Sequence, residues 1–510
     1  MTEAPLKVLI FIVSYNAERH IKSVLDRIPD SLWESSDYDV EVIVIDDGSE
    51  DNTVLEGNRY FLEKKRYVRV LKNPINQGYG GNQKIGFTYA IQKGFDIVAL
   101  LHADAQYAPE CLKDLLEPIA QNSADAVFGS RMLRKRDALK GGMPLYKFLG
   151  NIILTRIQNG LLGTDLSEFH TGYRIYRVKT LQKIPFQYNS NDFDFDTDII
   201  IQLIDNHCRI KELPIPTHYG DEICNVNGIR YALQIMHSTF LSRVQKFGIY
   251  YTPKFDYQIY GEQYEDKTQF DSSHLFAISQ VDEGDTVLDF GCGSGHIAQK
   301  LKEKSCSVYG YDSNVRPDVQ KYFEAFYHTD IDKDQLHKPP KLQQVDSVLL
   351  LDVIEHLINP DAFLESLRKL LSEFQNPPKR VVITTGNVAF LFVRLSLLFG
   401  GFNYGKRGIL DLTHKRLFTF KSLHNLLEIH GFKVQHVKGI PVPIPFIFGD
   451  TWLARLLLRI NRVLIKISKG LFAFQIAMVA TPRPTIERLL ENSKEEGRRQ
   501  LKKAMATTND

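Results

Sequence analysis

Three short clusters in this 510-residue chain set carboxylates among small or ring-bearing neighbours at spacings that suit chemistry. Asp46-Asp47-Gly48-Ser49 closes the apolar run VEVIVI, and Ser14-Tyr15-Asn16 closes the run KVLIFIV. His102, Asp104 and Gln106 alternate after the run DIVALL. Asp289, Gly291, Gly293 and Gly295 alternate in VLDFGCGSG. Carboxylates at strand ends suit the hydroxyls of a ribose or the edge of a base, a task that fits Asp46 and Asp47. Alternate residues of an extended segment face the same way. His102, Asp104 and Gln106 are therefore expected to converge on one divalent cation, Mg²⁺ or Mn²⁺. Such an ion neutralises a diphosphate and, as a Lewis acid, stabilises its departure. Together these features fit a nucleotide-sugar donor.

The third cluster reads as a buried strand entering a glycine turn and then a helix. Small residues let the backbone approach a ligand closely, and the helix N-terminus favours a carboxylate there. Asp312 closes the next apolar run, SVYGY, where an acid that binds ribose belongs. A dinucleotide would call for G-x-G-x-x-G under its pyrophosphate, which Asp289-Phe-Gly-Cys-Gly-Ser-Gly does not match.

Elements of a particular kind must position these groups. From Leu6 to about Phe128 short apolar runs alternate with helix-like segments, which predicts an α/β domain with a parallel sheet and ligands at the carboxyl ends of its strands. Residues 145–250 continue with helical patterns and an acidic loop at 189–198. A Tyr-rich, charged stretch broken by Pro253 marks a boundary. A second β-α series then begins. The expected organisation is residues 1–250, a linker at 251–270, a second α/β domain at 271–482, and a charged tail at 483–510. The length alone calls for more than one core. The formal net charge of +2 carries no basic excess, so nucleic acid is not an expected partner. Five scattered cysteines without ligand spacing read as reduced thiols, and with no apolar run long enough to span a bilayer the chain is expected in the cytoplasm.

VSYNAERHI, VIVIDDGSEDNT, NQGYGGNQKIGF, the His102 segment, GSRML, FHTGYRIYRVKTL and FDFDTDIIIQ, in this order, resemble the inverting family-2 glycosyltransferases with the GT-A fold, especially their dolichol-phosphate mannosyltransferase-like branch. That resemblance implies an Asp-x-Asp-x-Gln metal segment mapping onto His102, Asp104 and Gln106, with His102 a departure that leaves the metal's identity open. The usual Glu after Tyr-Asn is displaced, with Ala17 there and Glu18 next. It also implies that Arg131 and Arg174 meet phosphates of donor or acceptor. A polyprenyl phosphate acceptor is already ionised. A saccharide hydroxyl needs a general base, for which Asp196 and Asp198 are the candidates.

The second series resembles class I S-adenosylmethionine-dependent methyltransferases with a Rossmann-like fold. There Gly291 and Gly293 would face the methionine part of the cofactor, and Asp289 its amino group. Asp312 would take the ribose hydroxyls, and Asp330 or Asp332 would stand near the adenine. Asp352 opens DVIEHL, and His356 and His414 are the acid-base candidates. Some relatives of the ubiquinone pathway imply a metal at Asp352, Glu355 and His356. The leading expectation is a bifunctional enzyme of glycan or glycolipid assembly. It would pass a sugar to a lipid phosphate or saccharide and methylate a hydroxyl. The alternatives are an active methyltransferase beside a degenerate, binding-only first domain, and a methyltransferase acting on nucleic acid. Finally, Arg455, Arg459, Arg462, Lys466 and Lys469 follow a helical spacing among Leu, Ile and Val, which predicts either a domain helix with a basic edge or one lying peripherally at the inner face of a membrane.

Overall fold

β1 (Leu6–Ser14) alternates its side chains between two buried clusters, with Val8, Ile10 and Ile12 on one face and Leu9, Phe11 and Val13 on the other. A strand covered by helices on both sides must be apolar on both faces. The computed structural model describes residues 4–486 apart from 65, 218–226, 247–249, 257–270, 314–316, 341 and 445–450, together with 489–490, 493–494 and 497–498. It divides into two units, residues 1–245 with 252–261, and residues 246–251 with 262–510.

The first unit is an α/β domain built on a seven-stranded sheet. Its strands are β1, β2 (Tyr38–Asp46), β3 (Val68–Lys72), β4 (Ile97–His102), β5 (Ala126–Ser130), β6 (Arg174–Arg177) and β7 (Ile210–Pro214), in the order β3-β2-β1-β4-β6-β5-β7. The parallel expectation for residues 6–128 holds for β1 to β5, and β6, beyond that span, runs antiparallel between β4 and β5. β6 escaped the sequence pattern because it is four residues long and begins and ends on Arg. The acidic loop at 189–198 also needs correction. From Phe195 the chain is a helix (Phe195–Asp205) with Asp196 and Asp198 in its first turn, where the helix dipole favours negative charge.

The second unit repeats the plan with β8 (Thr286–Phe290), β9 (Ser307–Asp312), β10 (Ala325–His328), β11 (Ser347–Leu351), β12 (Arg380–Gly386), β13 (Phe432–Ile440) and β14 (Gln475–Pro482), in the order β10-β9-β8-β11-β12-β14-β13. β14 pairs antiparallel with both neighbours. The strand order reverses beside β8, so the ends of β8, β9 and β11 open a crevice where such sheets bind ligands. The start of the expected linker packs on the first unit, since Phe255 is buried in its core and Lys254 pairs with Asp198 at 2.8 Å. Residues 257–270 and most of the tail lie outside the described residues. Cys111, Cys208, Cys292 and Cys306 are free thiols, and Cys224 lies outside the described residues. Among the described residues no helix is long and apolar enough to cross a membrane.

Candidate active sites

In the first unit the ends of β1, β2 and β4 carry the expected groups, and most are already engaged with one another. Asp46 is fully buried and accepts from the backbone N–H and the hydroxyl of Ser49. It closes the turn after β2 and does not face a ligand, which corrects its assignment to donor binding. Asp47 accepts through Oδ1 from Asn73 at 2.7 Å and from the Gln77 N–H at 2.9 Å, while Oδ2 has no partner among the described residues. Of the two, Asp47 remains the group able to read a hydroxyl. The glycines of NQGYGGNQKIGF serve packing. A Cβ on Gly80 would overlap the Ser190 carbonyl, and one on Gly86 would overlap the Phe11 ring.

β4 ends at His102, and Ala105 takes a positive φ of 62°. The segment is thus a turn, and the alternation argument for a shared cation does not apply to it. Asp104 accepts from the Gln106 N–H at 3.1 Å. The His102 ring stands edge-on to Tyr79 and Tyr107, and its Nε2 lies 3.1 Å from the Tyr79 hydroxyl. Gly172 is required behind it, because a Cβ there would overlap Nε2. Burial lowers the His102 pKa against the pull of the Asp104 and Asp196 charges, so the ring is neutral. Among the described residues no three His, Cys, Asp or Glu side chains gather as a metal cage. Strand alternation therefore does not bring His102, Asp104 and Gln106 onto one cation.

Tyr79 donates to Asp196 at 3.0 Å, which leaves His102 Nε2–H to donate to the Tyr79 oxygen. Asp196 also accepts from Gln83 at 3.3 Å and stands 3.5 Å from Arg174. Arg174 has no exposed surface. Its guanidinium donates to the carbonyls of Thr171, Asp196 and Phe169, and it cannot meet a phosphate as expected. Arg131 is held by Glu168 at 2.9 Å and by the His170 carbonyl. Burial works against the Glu168 charge, but Arg131 and Asn151 outweigh it and hold the carboxyl below its usual range. Asp198 lies between Lys254 at 2.8 Å and the Ser190 N–H, its Oδ1 makes no hydrogen bond, and burial pushes its pKa up. Tyr79, Gln83 and Glu168 were missed. Tyr79 and Gln83 stand inside NQGYGGNQKIGF and Glu168 just before FHTGYRIYRVKTL, but residue type and spacing assigned none of them a role.

The second site is differently furnished. A crevice at the strand ends is lined by Gly291, Asp312, Asp330, Asp332, Asp352 and His356. The Gly293 N–H donates to Asp312 at 2.8 Å, tying the glycine turn to the end of β9. A Cβ on Gly293 would meet only the Gly291 carbonyl oxygen, at 4.0 Å, and Gly295 opens the following helix (His296–Glu303) at a φ of 69°. Gly291 is needed for another reason than the one expected. A Cβ there would overlap Val353, itself a lining residue, rather than enter the crevice directly. Asp289 is buried with Oδ2 unpartnered, and burial, then the charge of Asp312, pushes its pKa up to about 8. An orphaned buried carboxylate oxygen beside a glycine turn fits a cationic amino group.

Asp352 adopts a φ of 54°, unusual outside glycine, and is held by Thr384 at 2.9 Å and Gln475 at 3.0 Å. Buried Glu355 behind it is pushed up to about 8 by burial and then by Asp352, and its Oε2 has no partner. Asp352, Glu355 and His356 do not gather as a metal cage, because Glu355 points inward while His356 is exposed. His356 and His414, 58 positions apart in sequence, meet edge to face at 4.8 Å. His414 Nδ1 lies 3.0 Å from the Ile409 carbonyl, so Nδ1 carries the proton and Nε2 is left as the acceptor. Burial lowers its pKa. Asp330 lines the crevice beside Asp332 and pairs with Lys333.

Comparison with known proteins fits this division. Residues 9–185 match the family model for glycosyl transferase family 2, and residues 260–437 match one for a methyltransferase domain. The chain is 29% identical to a UDP-N-acetylglucosamine–dolichyl-phosphate N-acetylglucosaminyltransferase of Methanococcus voltae over 42% of this chain and 86% of that protein. It is 30% identical to an undecaprenyl-phosphate mannosyltransferase of Micrococcus luteus over 41% and 83%. A solved glucosyl-3-phosphoglycerate synthase of Mycobacterium tuberculosis is similar at 17% identity and a TM-score of 0.37, over 47% of this chain and 79% of that one.

Proposed function

Because this chain belongs to glycosyl transferase family 2 through its N-terminal half and carries a methyltransferase domain in the other, we propose that it is a bifunctional enzyme. Its first site passes a sugar from a nucleotide sugar to a polyprenyl phosphate. Its second site methylates a hydroxyl of a glycan or glycolipid. The observation that carries the choice of acceptor is the state of the two candidate bases. Asp198 is locked to Lys254, and Asp196 is engaged by Tyr79, Gln83 and Arg174. A saccharide hydroxyl needs a base to take its proton, whereas a phosphate monoester is already an anion. The relatives named for dolichyl and undecaprenyl phosphate support the same choice.

At the first site Asp47 Oδ2 takes a hydroxyl of the nucleoside, and Asp104 stands on the turn after β4. A divalent ion arriving with the donor needs only one or two protein carboxylates beside the phosphates, and Asp104 is suited to be one. His102 is not, since its Nε2–H is given to Tyr79. At the second site S-adenosylmethionine supplies an electrophilic methyl group. Asp289 holds the amino group, Asp312 the ribose, and Asp330 or Asp332 lies towards the adenine. His414, neutral with Nε2 free of a proton, takes the proton of the acceptor hydroxyl, and His356 lies beside it to pass that proton to solvent. Alignment of the three reacting atoms supplies most of the rate, so a modest base is enough.

The test pairs a panel of nucleotide sugars with undecaprenyl phosphate, dolichyl phosphate or a free saccharide, reading released nucleotide and the acid lability of any lipid product. A labile prenyl-phospho-sugar is expected. Transfer to saccharide alone would overturn the acceptor. Donor binding without transfer to any acceptor would leave the first domain as a binding module.

A further inference from the structure

We propose that the helix Trp452–Ile467 of the second unit docks on an anionic lipid bilayer. The helix is long, amphipathic and free of acidic residues, reading WLARLLLRINRVLIKI. It packs inward through a narrow seam. Ala454 is buried and Leu458 packs on the small cluster of Phe390, Val393, Val442 and Phe474. Asn461 accepts from the Val442 N–H at 3.0 Å and donates to the Phe472 carbonyl. At about 100° per residue, Ala454, Leu458, Asn461 and Ile465 fall within roughly 60° of the circumference. The remainder needs another explanation.

Most of it is apolar and exposed. Trp452 is 75% exposed, and Leu456, Ile460, Val463 and Ile467 continue its face over an arc of roughly 80°. A monomer in water seldom leaves a contiguous surface of Trp, Leu, Ile and Val uncovered. The basic residues of this helix, Arg455, Arg459, Arg462 and Lys466, occupy a separate arc of roughly 60° along one edge of this face. Arg462 is partly spent on Asp271 at 3.2 Å, and Lys469 lies over the Phe420 ring. Arg459 and Lys466 have no acidic partner among the described residues. The neighbouring helix Leu391–Leu398 covers the same cluster through Phe390 and Val393, and it too leaves Phe392, Leu395 and Leu398 exposed.

An occupant must therefore accept an apolar face and a row of cations together. A protein partner would need an apolar groove lined by acids. An anionic bilayer offers both features in any orientation, with acyl chains for Trp452, Ile460 and Val463 and headgroups for Arg459 and Lys466. Binding of this kind requires no spanning segment and holds the second site near lipid-borne substrates. Neither catalytic site contributes to the argument, so its failure would leave the proposed reactions untouched.

The experiment uses the full chain with Trp33→Phe, which leaves Trp452 as the single tryptophan. It is mixed with vesicles of phosphatidylcholine alone or of phosphatidylcholine with phosphatidylglycerol. Sedimentation with the anionic vesicles is expected, with a blue shift of Trp452 emission and weakening as salt rises. Arg459→Glu with Lys466→Glu should lower partitioning at least about tenfold. Ile460→Asp with Val463→Asp should abolish the blue shift. Retained circular dichroism and S-adenosylmethionine binding would show that each variant is folded. No binding at low salt would overturn the proposal, as would equal binding to both vesicles or sedimentation without a blue shift. A blue shift that grows with protein concentration in the absence of lipid would assign the face to a second copy instead.

Discussion

The carboxylates of the two sites stand in opposite conditions. In the first unit Asp46, Asp196 and Glu168 are buried and each is met by donors of the protein itself, while Asp198 Oδ1 has only the Lys254 ion pair beside it. In the second, Asp289 and Glu355 are buried with an oxygen unpartnered, and both are pushed up to about 8. A buried charge is tolerated only when paired, and otherwise it takes up a proton. The first site has thus settled most of its buried charges in advance, leaving Asp47 Oδ2 as its open acceptor. The second keeps unsatisfied acceptors that only a ligand with donors can complete.

The most severe way to break the first frame is Arg174→Met, which fits the volume but strands three carbonyls and the Asp196 charge. Removing one partner of a buried pair costs about 3–5 kcal/mol. Urea unfolding followed at Trp33, in a Trp452→Phe background, should show a loss of that order in the first unit only. A loss below about 1 kcal/mol would mean that Asp196 is not held as described.

A smaller effect tests the second site. An acid whose folded pKa is raised favours the folded state most below its unfolded value of 3.8, and that contribution is gone once pH has risen through about 8. The second unit, without ligand, should therefore lose stability between those values, and Asp289→Asn should flatten the loss. The same variant should weaken S-adenosylmethionine binding by about 10- to 100-fold, as expected for losing a charged hydrogen bond. In the wild type, calorimetry in buffers of different ionisation heat should detect proton release on binding near neutral pH. Its absence would mean that Asp289 does not meet the cofactor's amino group.

The smallest expected effect sharpens the contrast. Tyr79→Phe removes the bridge from His102 to Asp196 while preserving the ring packing. A cost of about 1 kcal/mol is expected, together with weaker donor transfer. Nuclear magnetic resonance of labelled histidine should show His102 no longer held as the Nε2–H tautomer. An unchanged tautomer would detach His102 from Asp196.

Apolar runs and glycine turns made β1 to β5, β8, β9, β11 and β12 legible, because hydrophobic period and turn chemistry are local properties of the chain. The short strand β6 was not legible, since Arg174 interrupts its apolar pattern and its place between β4 and β5 comes from a long-range pairing. Identity and spacing also put Asp104, Asp289 and Asp312 at strand ends, where ligands bind. What spacing could not supply was the partner of each group. Arg174 looked like a phosphate ligand until the fold wrapped it in carbonyls, and Asp198 like a base until Lys254, 56 positions away, closed on it. The sequence by itself determined which chemical groups arrive at which strand ends, since a β-α period dictates that locally. Only the tertiary structure decided which of them remain available to a ligand, because whether a buried charge is satisfied depends on donors brought from distant segments.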